Sequence, residues 1–103
     1  WIIGSVSPKG WVVIDQGAVN AIRNGKSLLP AGVKKINGNF DKGDHILVKD
    51  QNNIECARGL ASFSSIEIEK IKGSHSSKIK NILGYSSRDE IIHKDDLVRV
   101  KNA

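Results

Sequence analysis

The sequence predicts a mostly-β domain with a few short helices. Its apolar residues are largely β-branched: 14 Ile and 8 Val stand against 6 Leu and no Met. Such side chains favour pleated, half-buried surfaces. Ten Gly, several in Asn-Gly and Lys-Gly pairs, supply turns between short segments. The longest purely apolar run, Trp11-Val12-Val13-Ile14, is four residues. That suits a buried strand and falls far short of the roughly 18 residues that cross a bilayer.

This first run reads as strand one. Asp15 follows it and can cap a helix, its carboxylate accepting backbone N–H groups. Ala18, Ala21 and Ile22 share one face of a helix over residues 15–24, with Gly25 as its stop. The connector Ser27-Leu28-Leu29-Pro30-Ala31-Gly32 is held extended before Pro30. Residues 33–37 form a weak second strand. A turn anchored by Phe40 leads to a third strand over 45–49, with Ile46 and Val48 on one face. Asp50-Gln51-Asn52-Asn53 is a hairpin loop. A long fourth strand is expected over 54–63, with Gly59 marking a bulge or a close backbone contact. Ser64-Ser65-Ile66-Glu67 fits a capping box for a helix ending at Gly73. Ile79, Ile82 and Leu83 mark a further short helix before Gly84, and residues 97–100 close the chain as a strand. The order is β-α-β-β-β-α-α-β. The expected core is Val13, Ile14, Ala18, Ala21, Ile22, Ile36, Phe40, Ile46, Val48, Leu60, Ile71, Val98 and Val100.

The chain has 103 residues, of which 39% are apolar and 26% charged, ordinary for one globular domain. It has no initiating methionine, which suggests a piece of a longer chain. No signal peptide is visible. The single Cys56 excludes an internal disulfide, and such cysteine usage points to the cytosol. The net charge is +5, with a pI near 9.5, and the excess is spread over both halves. That permits a polyanionic partner without requiring one.

Catalytic constellations are weak. His45, His75 and His93 are far apart and lack metal-ligand spacing, so surface or strand-end positions are the simpler reading. Cys56 reads as a buried, inert thiol. Asp95-Asp96 reads as a solvated turn before the last strand. Gly25-Lys26-Ser27 resembles the end of a phosphate loop but lacks its first glycine and follows a helix. The basic residues carry more. Arg23, Lys26, Lys34 and Lys35 fall near the end of the first helix and in the strand after it. Arg58 lies within a strand, and Arg99 and Lys101 lie on the last one, opposite Val98 and Val100. If the last strand neighbours the first helix, these groups form a cationic groove able to hold phosphates. The alternative is that they only keep a small domain soluble. Aromatic residues are too few for a base-stacking platform.

Several segments resemble a known family. Asp15-Gln16-Gly17-Ala18-Val19-Asn20-Ala21-Ile22 is similar to the D-x-G-A-x-x-A start, followed by Leu or Ile, of a PUA domain. Gly32-Val33-Lys34-Lys35-Ile36-Asn37-Gly38-Asn39-Phe40 with Lys42-Gly43-Asp44 resembles that family's second stretch. Ala57-Arg58-Gly59-Leu60 resembles its long strand. Within the family, residues 27–32, Ile82-Leu83-Gly84-Tyr85 and Ile92-His93-Lys94-Asp95-Asp96-Leu97 resemble the C-terminal PUA domains of bacterial glutamate 5-kinases. Phe63 and Lys94 depart mildly from that pattern, where Tyr and Arg are usual.

The resemblance implies a PUA-like pseudobarrel over residues 1–103, with residues 1–8 the end of a linker. It implies a cytoplasmic, oligomeric parent kinase that phosphorylates the L-glutamate side chain with ATP and magnesium, the first step of proline synthesis. The kinase domain of that chain would be this segment's partner. The segment itself would hold no catalytic, cofactor or metal residue and no membrane contact. Two roles follow: a structural and regulatory accessory module, or an RNA-binding module. For the second, the resemblance points to Gly17, Lys26, Ser27, Lys34, Arg58 and Arg99, with Lys and Arg on phosphates and Gly17 allowing close backbone approach.

Overall fold

The computed structural model describes residues 8–85 and 89–99. The expected Val100 and Lys101 of the last strand, and most of the expected linker end, lie outside the described residues.

Five strands form one sheet: β1 (Gly10–Ile14), β2 (Val33–Gly38), β3 (His45–Lys49), β4 (Glu55–Leu60) and β5 (Leu97–Arg99), in the order β2-β1-β3-β4-β5. β1 and β3 run parallel, and every other neighbouring pair is antiparallel. Three helices accompany them: α1 (Gln16–Arg23), α2 (Ser65–Ile71) and α3 (Ile79–Leu83). The element order is the one the sequence predicts, with three added 3₁₀ turns at Pro30–Gly32, Ser76–Lys78 and Lys94–Asp96. Among the described residues no helix is long and apolar enough to cross a membrane.

Register decides which residues enter the core. Gly10 pairs with Ile46, and Val12 with Val48. Val48 in turn pairs with Ala57, and Ile46 with Gly59. Paired residues share a face, so Val12, Ile14, Ile46, Val48, Ala57 and Gly59 line one side of the sheet. α1 adds Val19 and Ile22 to the core, and α2 adds Ile68 and Ile71. Leu28, Val33, Phe40, Cys56, Ala61, Phe63, Ile79, Ile91 and Ile92 complete it.

The expected core needs correction at several positions. Val13 is only half-buried, because it points to the sheet face opposite Val12 and Ile14, and the four-residue apolar run carries no alternation that would show this from sequence. Ala18 and Ala21 are half-buried and line a cleft, while Val19 takes the core side of α1. Leu60 is half-buried; Ile36 is half-buried too but, like Ala18, still packs against the core cluster. Val98 is 45% exposed, because it pairs with Arg58 on the outer face of the sheet. The fourth strand is shorter than expected, since the chain leaves the ladder at Ala61, and its N–H donates to the Asp44 carbonyl at 2.9 Å.

Among the described residues the ladders shift register at two places. β3 and β4 shift register between Val48 and Lys49, which leaves Cys56 as the extra residue. That shift lets Cys56 and Ala57 both be buried in sequence. Burial first, and then the nearby Asp50 charge, push the Cys56 thiol above its ordinary pKa, in keeping with an inert thiol. The second shift lies at Val13/Ile14 and leaves Lys34 as the extra residue on edge strand β2. Gly59 serves the other expected purpose, close approach. A Cβ there would stand 2.7 Å from both the Asp96 carbonyl oxygen and Ile92 Cγ2.

The expected capping box of α2 is complete. The Glu67 N–H donates to Ser64 Oγ at 3.2 Å, and the Ser64 N–H donates to Glu67 Oε1 at 2.9 Å. Tyr85 Oη also donates to Glu67 Oε2. Burial alone would raise the Glu67 pKa, but the hydrogen bonds from Tyr85 and Ser64 outweigh it and hold the carboxyl below its ordinary value.

Two predictions follow from this packing. Ile46 is fully buried, so Ile46→Ala should cost about 2–5 kcal/mol, whereas Val98→Ala should cost no more than about 0.5 kcal/mol. Denaturant midpoints of the two variants check the face assignment, and equal losses would refute it. The second concerns acid. A carboxylate with a lowered folded pKa contributes stability above the ordinary carboxylate range and loses it as pH falls through the folded pKa. Glu67→Gln should therefore flatten the fall in melting temperature between about pH 5 and 3, and Tyr85→Phe should flatten it in part. An acid limb unchanged in both variants would show that Glu67 does not carry it.

Candidate nucleic-acid interface beside the first helix

α1 is anchored at both ends. At its start, Asp15 Oδ1 accepts from the Ala18 N–H at 2.8 Å, and the Asp15 N–H donates to the Gly32 carbonyl at 2.9 Å. A Cβ on Gly32 would stand 2.5 Å from Ala18 Cβ, so the connector can lie against the helix only with glycine there. At its end, Arg99 Nη1 donates to the Arg23 carbonyl at 2.7 Å. The last strand therefore reaches the C-terminal end of the first helix through the Arg99 side chain.

Between α1 and the connector lies an open cleft of about 260 Å³. Asp15, Gly17, Ala18 and Ala21 form its helix side, and Ser27, Leu29, Ala31 and Gly32 the facing wall. Leu29 is 47% exposed. The cleft is thus lined by small side chains, one exposed leucine and a capping carboxylate.

The six residues expected to bind RNA divide among four settings. Gly17 and Ser27 line the cleft. Ser27 Oγ also accepts from the Lys94 N–H at 2.8 Å, tying the wall to the turn before β5. Lys26 and Lys34 are exposed and lie next to residues of that wall, Lys26 preceding Ser27 and Lys34 two residues beyond Gly32. Arg99 touches α1, but its guanidinium serves as a C-terminal cap for the helix, where a cation suits the carbonyls. Arg58 stands apart. It pairs with Val98, whereas Arg99 pairs with Ala57, so the two arginines lie on opposite faces of the sheet. Its Nε donates to Glu55 Oε2 at 2.7 Å. Of the six, the structure thus brings Gly17 and Ser27 into one cleft, ties Arg99 to the end of α1, and sets Arg58 on the sheet face opposite Arg99.

Leu29 and Ala31 escaped the sequence reading, because the connector carries no periodic pattern. Pro30, which forces an extended Leu29, was the signal that could have found them. The histidines have local roles. His75 Nδ1 accepts from the Ser77 N–H at 3.2 Å, and His93 Nδ1 from the Asp95 N–H at 3.1 Å, each capping a 3₁₀ turn. His45 is a buried residue at the start of β3. Among the described residues no three His, Cys, Asp or Glu side chains gather as a metal site would need.

Gly17 and Gly32 make opposite predictions. A Cβ on Gly17 would meet only Asp15 Oδ1, at an ordinary 3.5 Å. Gly17→Ala should raise stability by about 0.4–1 kcal/mol through helix propensity and chain entropy. Gly32→Ala should instead destabilise, because its methyl collides with Ala18. Thermal unfolding of both variants checks this, and a destabilised Gly17→Ala would show that the fold itself requires that glycine.

The comparisons fit this geometry. Residues 10–83 match the family model of the PUA domain. A glutamate 5-kinase of Pelagibacter ubique (strain HTCC1062) is 66% identical over 100 residues, covering 97% of this chain and 27% of its own length. The chain spans about a quarter of the length of the curated relatives it matches. Among solved structures, a PUA domain from Aeropyrum pernix K1, in a tartrate complex, aligns with a TM-score of 0.67 at 23% identity, covering 92% of this chain and 45% of that one. An H/ACA RNP bound to a substrate RNA aligns with a TM-score of 0.55 at 27% identity, covering 57% of this chain and 19% of that one. The chain belongs to the PUA domain family.

Proposed function

We propose that the chain is the non-catalytic accessory domain of a glutamate 5-kinase. The kinase domain of the same polypeptide would be its partner, in a cytoplasmic, oligomeric enzyme that phosphorylates L-glutamate with ATP and magnesium. The observation that carries this reading is the 66% identity over nearly all of the chain to a glutamate 5-kinase about four times as long. An accessory role suits a domain whose anchoring bonds hold the fold itself: Asp15 and Arg99 fix α1, and Ser27 fixes the turn before β5. In a coupled ADP-release assay with ATP, magnesium and L-glutamate, this chain alone should stay at the blank, and the full-length chain that contains it should turn over. Turnover by the isolated chain, with contaminating kinase excluded, would overturn the accessory reading. A full-length chain with no glutamate-dependent ADP release would overturn the parentage.

A second reading is RNA binding in the cleft. Gly17 favours it, because a glycine in the first turn of α1 costs helix stability and no packing contact demands it. A backbone bare of Cβ admits a close ligand, and Lys26 and Lys34 could hold phosphates on either side. The H/ACA RNP likeness supports the same reading. An electrophoretic shift with structured RNA at two salt concentrations tests it. Each phosphate neutralised adds roughly 0.7–0.9 to the log–log salt slope. The wild type should therefore show a slope of at least about −2, and Lys26→Glu with Lys34→Glu should reduce it. Arg99 is left intact because its loss would uncap α1. Equal, weak binding by both proteins would reject the reading.

A further inference from the structure

The lobe formed by α2, the Ser76–Lys78 turn and α3 has a surface that the fold does not explain. Ile68, Ile71 and Ile79 are buried and anchor the lobe to the core. Three other large apolar side chains point outward: Ile66 is 69% exposed, Tyr85 50% and Ile82 39%. Ile66 and Lys70 stand four residues apart on the outer stripe of α2, opposite Ser65, Ile68 and Ile71.

The charges around them are mostly positive, four lysines against Glu67 and Glu69 over residues 65–85. Residues 70–85 contain Lys70, Lys72, Lys78 and Lys80 and no Asp or Glu. The two acids nearest in sequence are already committed. Glu67 serves the Ser64 N–H and Tyr85, and Glu69 holds Lys72 at 2.6 Å. Lys70, Lys78 and Lys80 are exposed and make no ion pair among the described residues.

We propose that this lobe docks an acidic polypeptide segment that carries apolar side chains. Apolar groups within a charged surround have the make-up of a protein interface, and the missing charge is negative. Nucleic acid fits less well. Isoleucines offer no stacking face, and Tyr85 is tied by its hydroxyl to Glu67. A membrane surface fits less well too, since α2 and α3 are only 7 and 5 residues long. A second copy meeting lobe to lobe would set lysines against lysines.

The probe is a fluorescein-labelled peptide of glutamates interspersed with leucines, added to this chain at low and at moderate salt. An all-glutamate peptide, a structured RNA and anionic phospholipid vesicles are run beside it. The mixed peptide should shift the amide resonances of Ile66, Lys70, Lys78, Lys80 and Ile82, and leave those of Gly17, Ala18 and Ala21 in place. Charge reversal at Lys70, Lys78 and Lys80 should weaken binding by about tenfold or more and reduce its salt dependence. Ile66→Ala with Ile82→Ala should weaken it about fivefold with the salt dependence retained. All five positions are exposed, and unchanged amide spectra elsewhere confirm that the variants fold. Lobe resonances unmoved by the peptide would overturn the proposal. So would an all-glutamate peptide binding equally well, RNA or vesicles outcompeting the mixed peptide at the lobe, or lobe-mediated self-association in sedimentation. Because the readout is binding to this chain alone, its failure leaves the kinase-accessory reading untouched, and the reverse also holds.

Discussion

The approach of Gly32 to Ala18 is the constraint on which the rest of the molecule depends. It brings the connector against α1 closely enough for the Asp15 N–H to reach the Gly32 carbonyl. With that contact made, Leu28 meets Ile92 in an isolated bridge, and Ser27 receives the Lys94 N–H. The segment that feeds β5 is thereby fixed before β5 begins. β5 then lies along β4 where Gly59 admits the Asp96 carbonyl, and Arg99 closes on the far end of α1. Two missing methyl groups, 27 residues apart in sequence, allow one helix to be held at both of its ends, by the connector at its start and by β5 at its close.

The same contact explains the cleft. The helix cannot present one face to everything around it. Val19 and Ile22 go to the core, and Ala18 and Ala21 go to the connector. Small residues on that second side keep the two walls close at Gly32 and leave room further along. The α2–α3 lobe is joined to the cleft's outer wall, since the Gly73 N–H donates to the Pro30 carbonyl at 2.8 Å.

Much of this architecture is legible in the sequence, for local reasons. Asp15, Ser64 with Glu67, and Gly84 act on chain only a few residues away, so α1, α2 and α3 can be placed from their caps. His45–Lys49 frames its Ile46-Leu47-Val48 run with polar residues, and the expected inward pair Ile46 and Val48 is buried. What fails is what register decides. Trp11-Val12-Val13-Ile14 has no alternation, so only pairing with β3 shows which valine is buried. The bulge at Cys56 changes the phase of β4 without any glycine or proline to announce it. Val98 looks like a core residue by type, but its partner Arg58 places it on the outer face. The basic residues and the family resemblance both point to a groove around α1, but that Arg58 and Arg99 lie on opposite faces of the sheet is set by pairing, which sequence does not show.

The basic residues show why a net charge of +5 does not by itself describe a surface. Arg58 is spent on Glu55, Arg99 on the end of α1, and Lys72 on Glu69. Lys49 lies over the Trp11 ring, 4.1 Å from its centroid, a contact of about 0.5–1 kcal/mol at such a site. Each arginine in that set has a fixed partner, because a planar fork holds its geometry once formed. What remains for an outside partner beside the cleft and on the lobe is lysine: Lys26, Lys34, Lys70, Lys78 and Lys80. Lysines are compact point charges on flexible stems, and they attract anions without imposing bidentate geometry. Discrimination among anionic partners must then come from what lies between the lysines. In the cleft that is bare backbone at Gly17 and a narrow wall; on the lobe it is exposed isoleucine and tyrosine. The two surfaces share one kind of charge and differ in the shape and polarity of the ground between the charges, so a ligand suited to one is poorly suited to the other.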